Sequence, residues 1–392
     1  MQPVEIEHLV ANSEAFPILR RWDFFNHAGV SPLPQVAADA FRTFAAEAEA
    51  EGYLNTTWYK DVEKVRDLAA GLINAGRDEI ALLKNTSEGI ATVAGGLQWN
   101  SGDRIVTTNV EYPANIYPWM DLQKRKGVEL VMVEERDAGG PGAGPSRAVP
   151  LERILEEAAH PRTRMVALSH VEFASGQRHD VAAIGKFCRE NGKLFCVDGI
   201  QSVGVLPVDV LQMNIDFLSA DGHKWMLGPE GAGIFYVRRE LLDELHPVII
   251  GWMNVAQAED FGTYDFTLKK SAAKFEAGSH NVPGFLSLAR SLEMIRGIGI
   301  GAISERVRRL TDLLVGGLTA KGYQVVSPRE AEAWSGIVSF VSPTHDHGMI
   351  FRTLRNDRRI ELALRNGRLR CSPHFYNTEA QIERLISLLP GH

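Results

Sequence analysis

Seven short apolar runs, each no longer than a single strand, alternate with helix-like segments between residues 78 and 238. They are Ile80–Leu83, Arg104–Thr108, Leu130–Val133, Met165–Ser169, Leu194–Asp198, Phe217–Ala220 and Gly233–Val237, with helical patterns at 115–126, 151–160 and 181–191. A strand reads as a continuous apolar run when both of its faces are covered, and intervening helices supply that cover. The pattern predicts an α/β fold with a mostly parallel sheet between two layers of helix. It also predicts where function sits, because ligands of such sheets bind beyond the carboxyl ends of the strands.

The 392 residues exceed what one simple core holds and suit a large and a smaller domain. Past residue 284 the pattern changes to long helices (285–297 and 301–321), then strand candidates at Ser335–Val341 and Leu369–Ser372. Thr378-Glu379-Ala380-Gln381 makes a capping box that opens a last amphipathic helix. The expected division is an N-terminal segment (1–30) packing with the small domain, a large ligand-binding domain (31–283), and an interdomain helix with a small α+β domain (284–392). The Gly/Pro-rich stretch Ala138–Ser146 reads as a surface loop, since the alternation resumes after it.

A formal net charge of -7 and the lack of a basic run argue against nucleic acid or an anionic membrane as partner. No apolar run is long enough to span a bilayer, and the polar, acidic start Met1-Gln2-Pro3-Val4-Glu5 is no secretory signal. Cys188, Cys196 and Cys371 are widely spaced, form no CxxC and fit a reducing cytoplasm. Thr344-His345-Asp346-His347 has no second cluster of metal ligands and reads as a solvated turn, so no metal site is expected. Gly228-Pro229-Glu230-Gly231-Ala232-Gly233 precedes a strand instead of following one, which fails the context of a dinucleotide fingerprint and disfavours a nicotinamide enzyme.

Two residues fall where the sheet places ligands. The run Leu194–Asp198 ends in a carboxylate, and 26 residues later Lys224 follows Phe217–Ala220 in Asp221-Gly222-His223-Lys224-Trp225. An acid at one strand end and a lysine after the next is the arrangement that pyridoxal 5′-phosphate requires. The lysine forms an imine with the cofactor aldehyde, and the carboxylate keeps the pyridine nitrogen protonated so that the ring draws in electrons. The phosphate needs backbone N–H groups and small hydroxyls at a helix start, and Asn85-Thr86-Ser87-Glu88-Gly89 follows the first run in that way.

Beside this reading, the chain resembles the class V aminotransferases of the fold-type I pyridoxal phosphate enzymes, among them cysteine desulfurases, selenocysteine lyases, kynureninases and isopenicillin N epimerase-like proteins. The resemblance runs from Phe24-Phe25-Asn26-His27-Ala28-Gly29 to Ser372-Pro373-His374-Phe375-Tyr376-Asn377. It implies Lys224 as the Schiff-base lysine and Asp198 as partner of the ring nitrogen. It implies Gln201 and His223 as ring and phosphate contacts, Thr86 and Ser87 as phosphate ligands, and Tyr112 as the stacking ring where desulfurases have histidine. Phe275-Glu276-Ala277-Gly278-Ser279 resembles a loop whose hydroxyl, here Ser279, reaches the phosphate of a neighbouring subunit, which implies a homodimer. Trp252 falls in a segment also sent across that interface, toward substrate. Arg370 matches the arginine that grips the substrate carboxylate, with Arg365 as second candidate.

Besides Tyr112, two residues and one segment depart from the family pattern. Phe173 stands where an amide contacts the ring oxygen, and Asp221 where a serine contacts phosphate, so Asp221 is left out of the expected site. Between Arg365 and Arg370 only Asn366-Gly367-Arg368-Leu369 intervene, where desulfurases carry a long loop with the sulfur-accepting cysteine. Cys371 therefore reads as structural. The expected function is a pyridoxal phosphate enzyme acting on an amino acid by α-proton abstraction, first of all an aminotransferase. Alternatives are a carbon–sulfur or related β-lyase or an epimerase of the same family and, from another class, a non-catalytic module that keeps the fold.

Overall fold

The computed structural model describes residues 4–137 and 147–391; the loop expected over Ala138–Ser146 lies outside them. All seven expected strands form one sheet: β1 (Ile80–Leu83), β2 (Arg104–Thr108), β3 (Glu129–Val133), β4 (Thr163–Ser169), β5 (Leu194–Asp198), β6 (Phe217–Asp221) and β7 (Gly233–Val237). Their spatial order is β1-β7-β6-β5-β4-β2-β3. Only β7 runs antiparallel to its neighbours, so the sheet is mostly parallel. Register brings Ser169, Asp198 and Ser219 side by side, which aligns the carboxyl ends of β4, β5 and β6.

Side chains along each strand alternate between two cores. Phe195 and Val197 join one cluster with Val166, Leu168, Leu218 and Ile234, while Cys196 joins another with Met165, Ala167, Phe217 and Phe235. A strand that feeds two cores has no polar face, which is why these runs show no alternation in sequence. The helix Thr86–Gly96 lies close against β6 because Gly89 lacks a side chain: a Cβ there would stand 2.3 Å from Ser219 Oγ.

The helix Val282–Ile298 leads into Ile300–Ala320, after which the chain builds a second, antiparallel sheet. Its order is Gln324–Val325, Val338–Val341, Arg368–Cys371, Ala363–Arg365. The strand expected from Ser335 starts only at Val338, because Ser335 Oγ donates to Gly176 O at 2.6 Å and ties that stretch to the large sheet's loops. The capping box forms: Gln381 N donates to Thr378 Oγ1 (3.1 Å) and Thr378 N to Gln381 Oε1 (3.0 Å), opening the helix Glu379–Leu388. Near the N-terminus, Asp23–Phe24 pairs in parallel with Ile360–Glu361, and Asn26 bridges Ser372. That pairing carries Asn26 to the junction of the two sheets. Among the described residues no helix is long and apolar enough to cross a membrane.

Candidate active site

A cavity of about 590 Å³ opens beyond the carboxyl ends of β5 and β6, walled on its far side by the small sheet. Lys224 reaches it from a loop that closes on itself, with Gly228 N donating to Gly222 O (2.8 Å) and Ser31 Oγ to Lys224 O (2.6 Å). The loop holds Leu227 at φ 55°, in the left-handed region that a branched residue adopts only under constraint. Lys224 is 9 % exposed, and its Nζ lies 5.6 Å from the Tyr112 ring centroid. Burial lowers its pKa to about 8, against the attraction of Asp198, with the guanidinium charges of Arg370 and Arg365 pushing the same way as burial. Asp198 is buried at the end of β5, where burial raises its pKa to about 6 although Ile200 N donates to it at 3.0 Å.

Around this pair the cavity gathers most of the residues singled out by sequence: Thr86, Ser87, Tyr112, Gln201, His223, Arg365 and Arg370 all line it. Asn85 caps the helix Thr86–Gly96, accepting from Glu88 N at 3.0 Å, so the first N–H groups face the cavity floor. Thr86 Oγ1 accepts from Asp221 N (3.0 Å), which leaves its own hydroxyl proton to donate. Gln201 is fixed at both ends, donating to Ala28 O (3.1 Å) and accepting from Trp225 Nε1 (2.9 Å). Its amide keeps one N–H for a ligand. Tyr112 meets Phe173 edge to face at 5.2 Å, and the two rings form one wall.

Arg370 is 1 % exposed, and no carboxylate pairs with it among the described residues. It donates to Phe173 O (2.6 Å) and Asn26 Oδ1 (3.3 Å), while its Nε has no partner. Burial, with the charge of Arg365 beside it, lowers its pKa to about 9. Such a guanidinium is set up to receive an anion.

Ser279 and Trp252 do not reach this cavity within one chain. Ser279 lines a separate hollow with Leu83, Lys84 and His280, adjacent through the segment that also carries Asn85–Ser87. Trp252 is half exposed beside Phe261, ring centroids 6.1 Å apart. Their expected role is toward a neighbouring subunit.

Sequence reasoning passed over Asn26, Ser31, Asp221 and Glu361. Asn26 sits in the quoted Phe24–Gly29 segment, and only its contact with Arg370 reveals a use. Asp221, set aside because a carboxylate repels phosphate, does line the cavity: one carboxylate oxygen lies 3.0 Å from His223 Nδ1, and the other is buried without a partner. In the stretch Thr344–His347, Asp346 caps the helix His347–Arg358, accepting from Met349 N at 2.6 Å.

Residues 24–385 match the model of the family described as "Aminotransferase class-V". The chain belongs to that family. A relative named "Probable cysteine desulfurase", from Pyrococcus abyssi, is 32 % identical over 95 % of this chain and 94 % of its own. The apo structure of a cysteine desulfurase from Thermococcus onnurineus is 28 % identical, covers 99 % of this chain and 98 % of its own, and superposes with a TM-score of 0.86. A cystine C–S lyase, determined with its product cysteine persulfide, is 25 % identical over 95 % of this chain and 98 % of its own, with a TM-score of 0.84.

Class-V enzymes use pyridoxal 5′-phosphate, and the cavity fits that group. A buried lysine and a buried acid face one slot, a capped helix start offers N–H groups, and Arg370 Nε is buried without a partner. The relatives bear on one expectation directly. Several are named cysteine desulfurases, yet the segment between Arg365 and Arg370 is a tight hairpin turn, and Cys371 is buried in a strand with burial pushing its thiol pKa far up.

Proposed function

We propose that this class-V enzyme acts on an amino acid as a lyase that breaks a bond at the β-carbon, without using a cysteine of its own as acceptor. The observation that carries the reading is one cavity holding a buried Lys224 with lowered pKa, a buried Asp198, and Arg370 without a carboxylate partner among the described residues. When bound, pyridoxal phosphate supplies an aldehyde for the substrate amine and a protonated ring that withdraws electrons from the α-carbon.

The chain's own residues do the rest. Arg370 clasps the α-carboxylate with its planar fork, steadied by Phe173 O and Asn26. That grip fixes which face of the α-carbon meets Lys224 Nζ. With a pKa of about 8, Lys224 exchanges a proton near neutral pH and takes it from the α-carbon. Asp198, raised but still largely ionised at pH 7, holds a proton on the ring nitrogen. Thr86, Ser87 and His223 would hold the phosphate, and Tyr112 would cover the ring. Names of relatives support the lyase outcome over transamination. The buried Cys371 removes a mobile sulfur acceptor and so keeps transamination as the second reading.

Lys224→Ala should abolish turnover and the covalent imine to the chain, so that borohydride no longer fixes the cofactor to the protein, and surviving turnover would sink the assignment. Between the two outcomes, the products of an amino-acid panel decide. Ammonia released with an unaminated cofactor marks a lyase; stoichiometric amination of the cofactor marks an aminotransferase. We further propose a cytoplasmic homodimer, supported by three buried free thiols and by Ser279 and Trp252 standing outside their own chain's cavity. Sedimentation as a monomer at micromolar concentration would remove it.

A further inference from the structure

Two guanidiniums line the cavity, and the reaction proposed above accounts for one. Arg370 lies on the strand Arg368–Cys371 and Arg365 on its partner Ala363–Arg365. Register pairs Ala363 with Arg370 and Arg365 with Arg368. Ala363 and Arg365, two apart on one strand, share a face, and Ala363 shares that face with Arg370 opposite. Arg365 and Arg370 are thus diagonal neighbours on the cavity side of the hairpin, rooted about 7–8 Å apart. They also differ in depth: Arg370 is buried in the wall, whereas Arg365 stands exposed at the rim.

The turn that joins the strands makes this placement rigid. Asn366 (φ 48°) and Gly367 (φ 73°) are both left-handed, the signature of a two-residue hairpin turn, and Gly367 O is held 2.6 Å from His347 Nδ1. Arg365 bonds only to the carbonyl of Leu364 and pairs with no carboxylate among the described residues. Of the exposed or half-buried acids lining the cavity among the described residues, Glu361 is already engaged by Arg355 (3.2 Å) and Asn26, and Glu230 forms no ion pair with Arg365. Arg365 lines the same cavity as Lys224 and Arg370.

One planar guanidinium satisfies a carboxylate's two oxygens bidentately, without needing a second cation. A second guanidinium at another depth is then available for a second anion. Resting on the amino-acid reading above, we propose that the substrate's side chain ends in an acidic group, which Arg365 receives at the rim while Arg370 holds the α-carboxylate. A neutral side chain of the same length would leave Arg365 unmatched, so the rim selects by charge.

The test is a visible-absorption titration of the holoenzyme with aspartate against asparagine, and glutamate against glutamine. The acidic member of at least one pair should half-saturate at a concentration at least tenfold lower. Arg365→Ala should cut that acid-over-amide ratio about tenfold, and Arg365→Lys should restore part of it. No preference for the acid overturns the inference. An Arg365→Ala loss equal for acid and amide also overturns it, because Arg365 would then share the α-carboxylate. Failure of the underlying reading looks different: the protein, supplied with pyridoxal phosphate, shows no visible cofactor band with any amino acid, and both proposals fall together.

Discussion

Two of the buried charge clusters among the described residues treat the same residue types in opposite ways. In one, Glu276 accepts from Arg66 at 2.5 Å, from Leu82 N at 2.9 Å and faces His280 Nε2 at 2.8 Å. Burial by itself would raise Glu276, but the His280 hydrogen bond and the Arg66 guanidinium hold its pKa at about 2. Arg66 moves further up despite its own burial, chiefly through the charge of Glu276. In the cavity burial wins: Asp198 rises to about 6, while Lys224 falls to about 8 and Arg370 to about 9. The first cluster is closed, with each charge matched within hydrogen-bond distance. The second is left open toward the space a ligand takes. Closed clusters hold a chain together; open ones keep charge ready for something that binds.

The sharpest way to break that distinction is to remove one arginine from each. Arg66→Met strands Glu276 in the core beneath the loop that carries Ser279, and should cost about 3–5 kcal/mol of unfolding free energy. Arg370→Met removes a cation that no acid balances, so stability should change by less than about 1 kcal/mol. Its effect should appear in catalysis instead, as a fall of about 100-fold in kcat/KM, about 2.7 kcal/mol. Urea unfolding and steady-state kinetics on both variants measure this. Equal stability losses would erase the difference between the clusters.

Acid and base should separate the clusters next. Glu276 contributes stability above the ordinary carboxylate value of 4.5 and loses it as pH falls toward 2. Acid unfolding in that window should be shallower in Glu276→Gln than in the parent. At the other end, only the neutral amine of Lys224 attacks an aldehyde. Cofactor uptake by the stripped protein should therefore rise with pH through about 8 and then level off. A rate still climbing toward 10.5, the ordinary lysine value, would mean that Lys224 is not desolvated as described.

The open cluster was the more legible of the two, because sequence order mirrors it. Asp198 and Lys224 each follow an apolar run of the sheet, and the parallel topology turns that into adjacency at neighbouring strand ends. Strands β1 to β7 were visible for a related reason, since burial on both faces of most of them leaves mainly apolar residues to read. The closed cluster was opaque: Arg66 and Glu276 are 210 residues apart, on a helix and a loop with no shared pattern. Asn26 was hidden for a similar reason. It enters the cavity through the parallel pairing of Asp23–Phe24 with Ile360–Glu361, a two-residue ladder that no periodicity announces. The Ser335–Val341 strand came out short because side-chain hydrogen bonds to a distant loop compete with the ladder, and propensity does not see distant partners.

The smallest expected effect tests how the open cluster is positioned. Gly89 lets the helix Thr86–Gly96 rest on β6, and a methyl group there would meet Ser219 Oγ at 2.3 Å and Phe235 at 3.0 Å. Gly89→Ala must lift the start of the helix, which carries Thr86 away from Asp221 N and draws Thr86 and Ser87 out of line with the cavity. Overpacking of this kind costs about 1–3 kcal/mol. Cofactor affinity should fall several-fold, while the lysine and acid beneath keep the visible band unchanged in position. Ser219 Oγ is itself buried without a partner, so Ser219→Ala alone should be neutral or slightly stabilising. Combined with Gly89→Ala it should restore part of the lost affinity, because it removes the atom struck first. A double-mutant cycle that proves additive would show that the helix does not rest on Ser219, and that the cavity floor is set elsewhere.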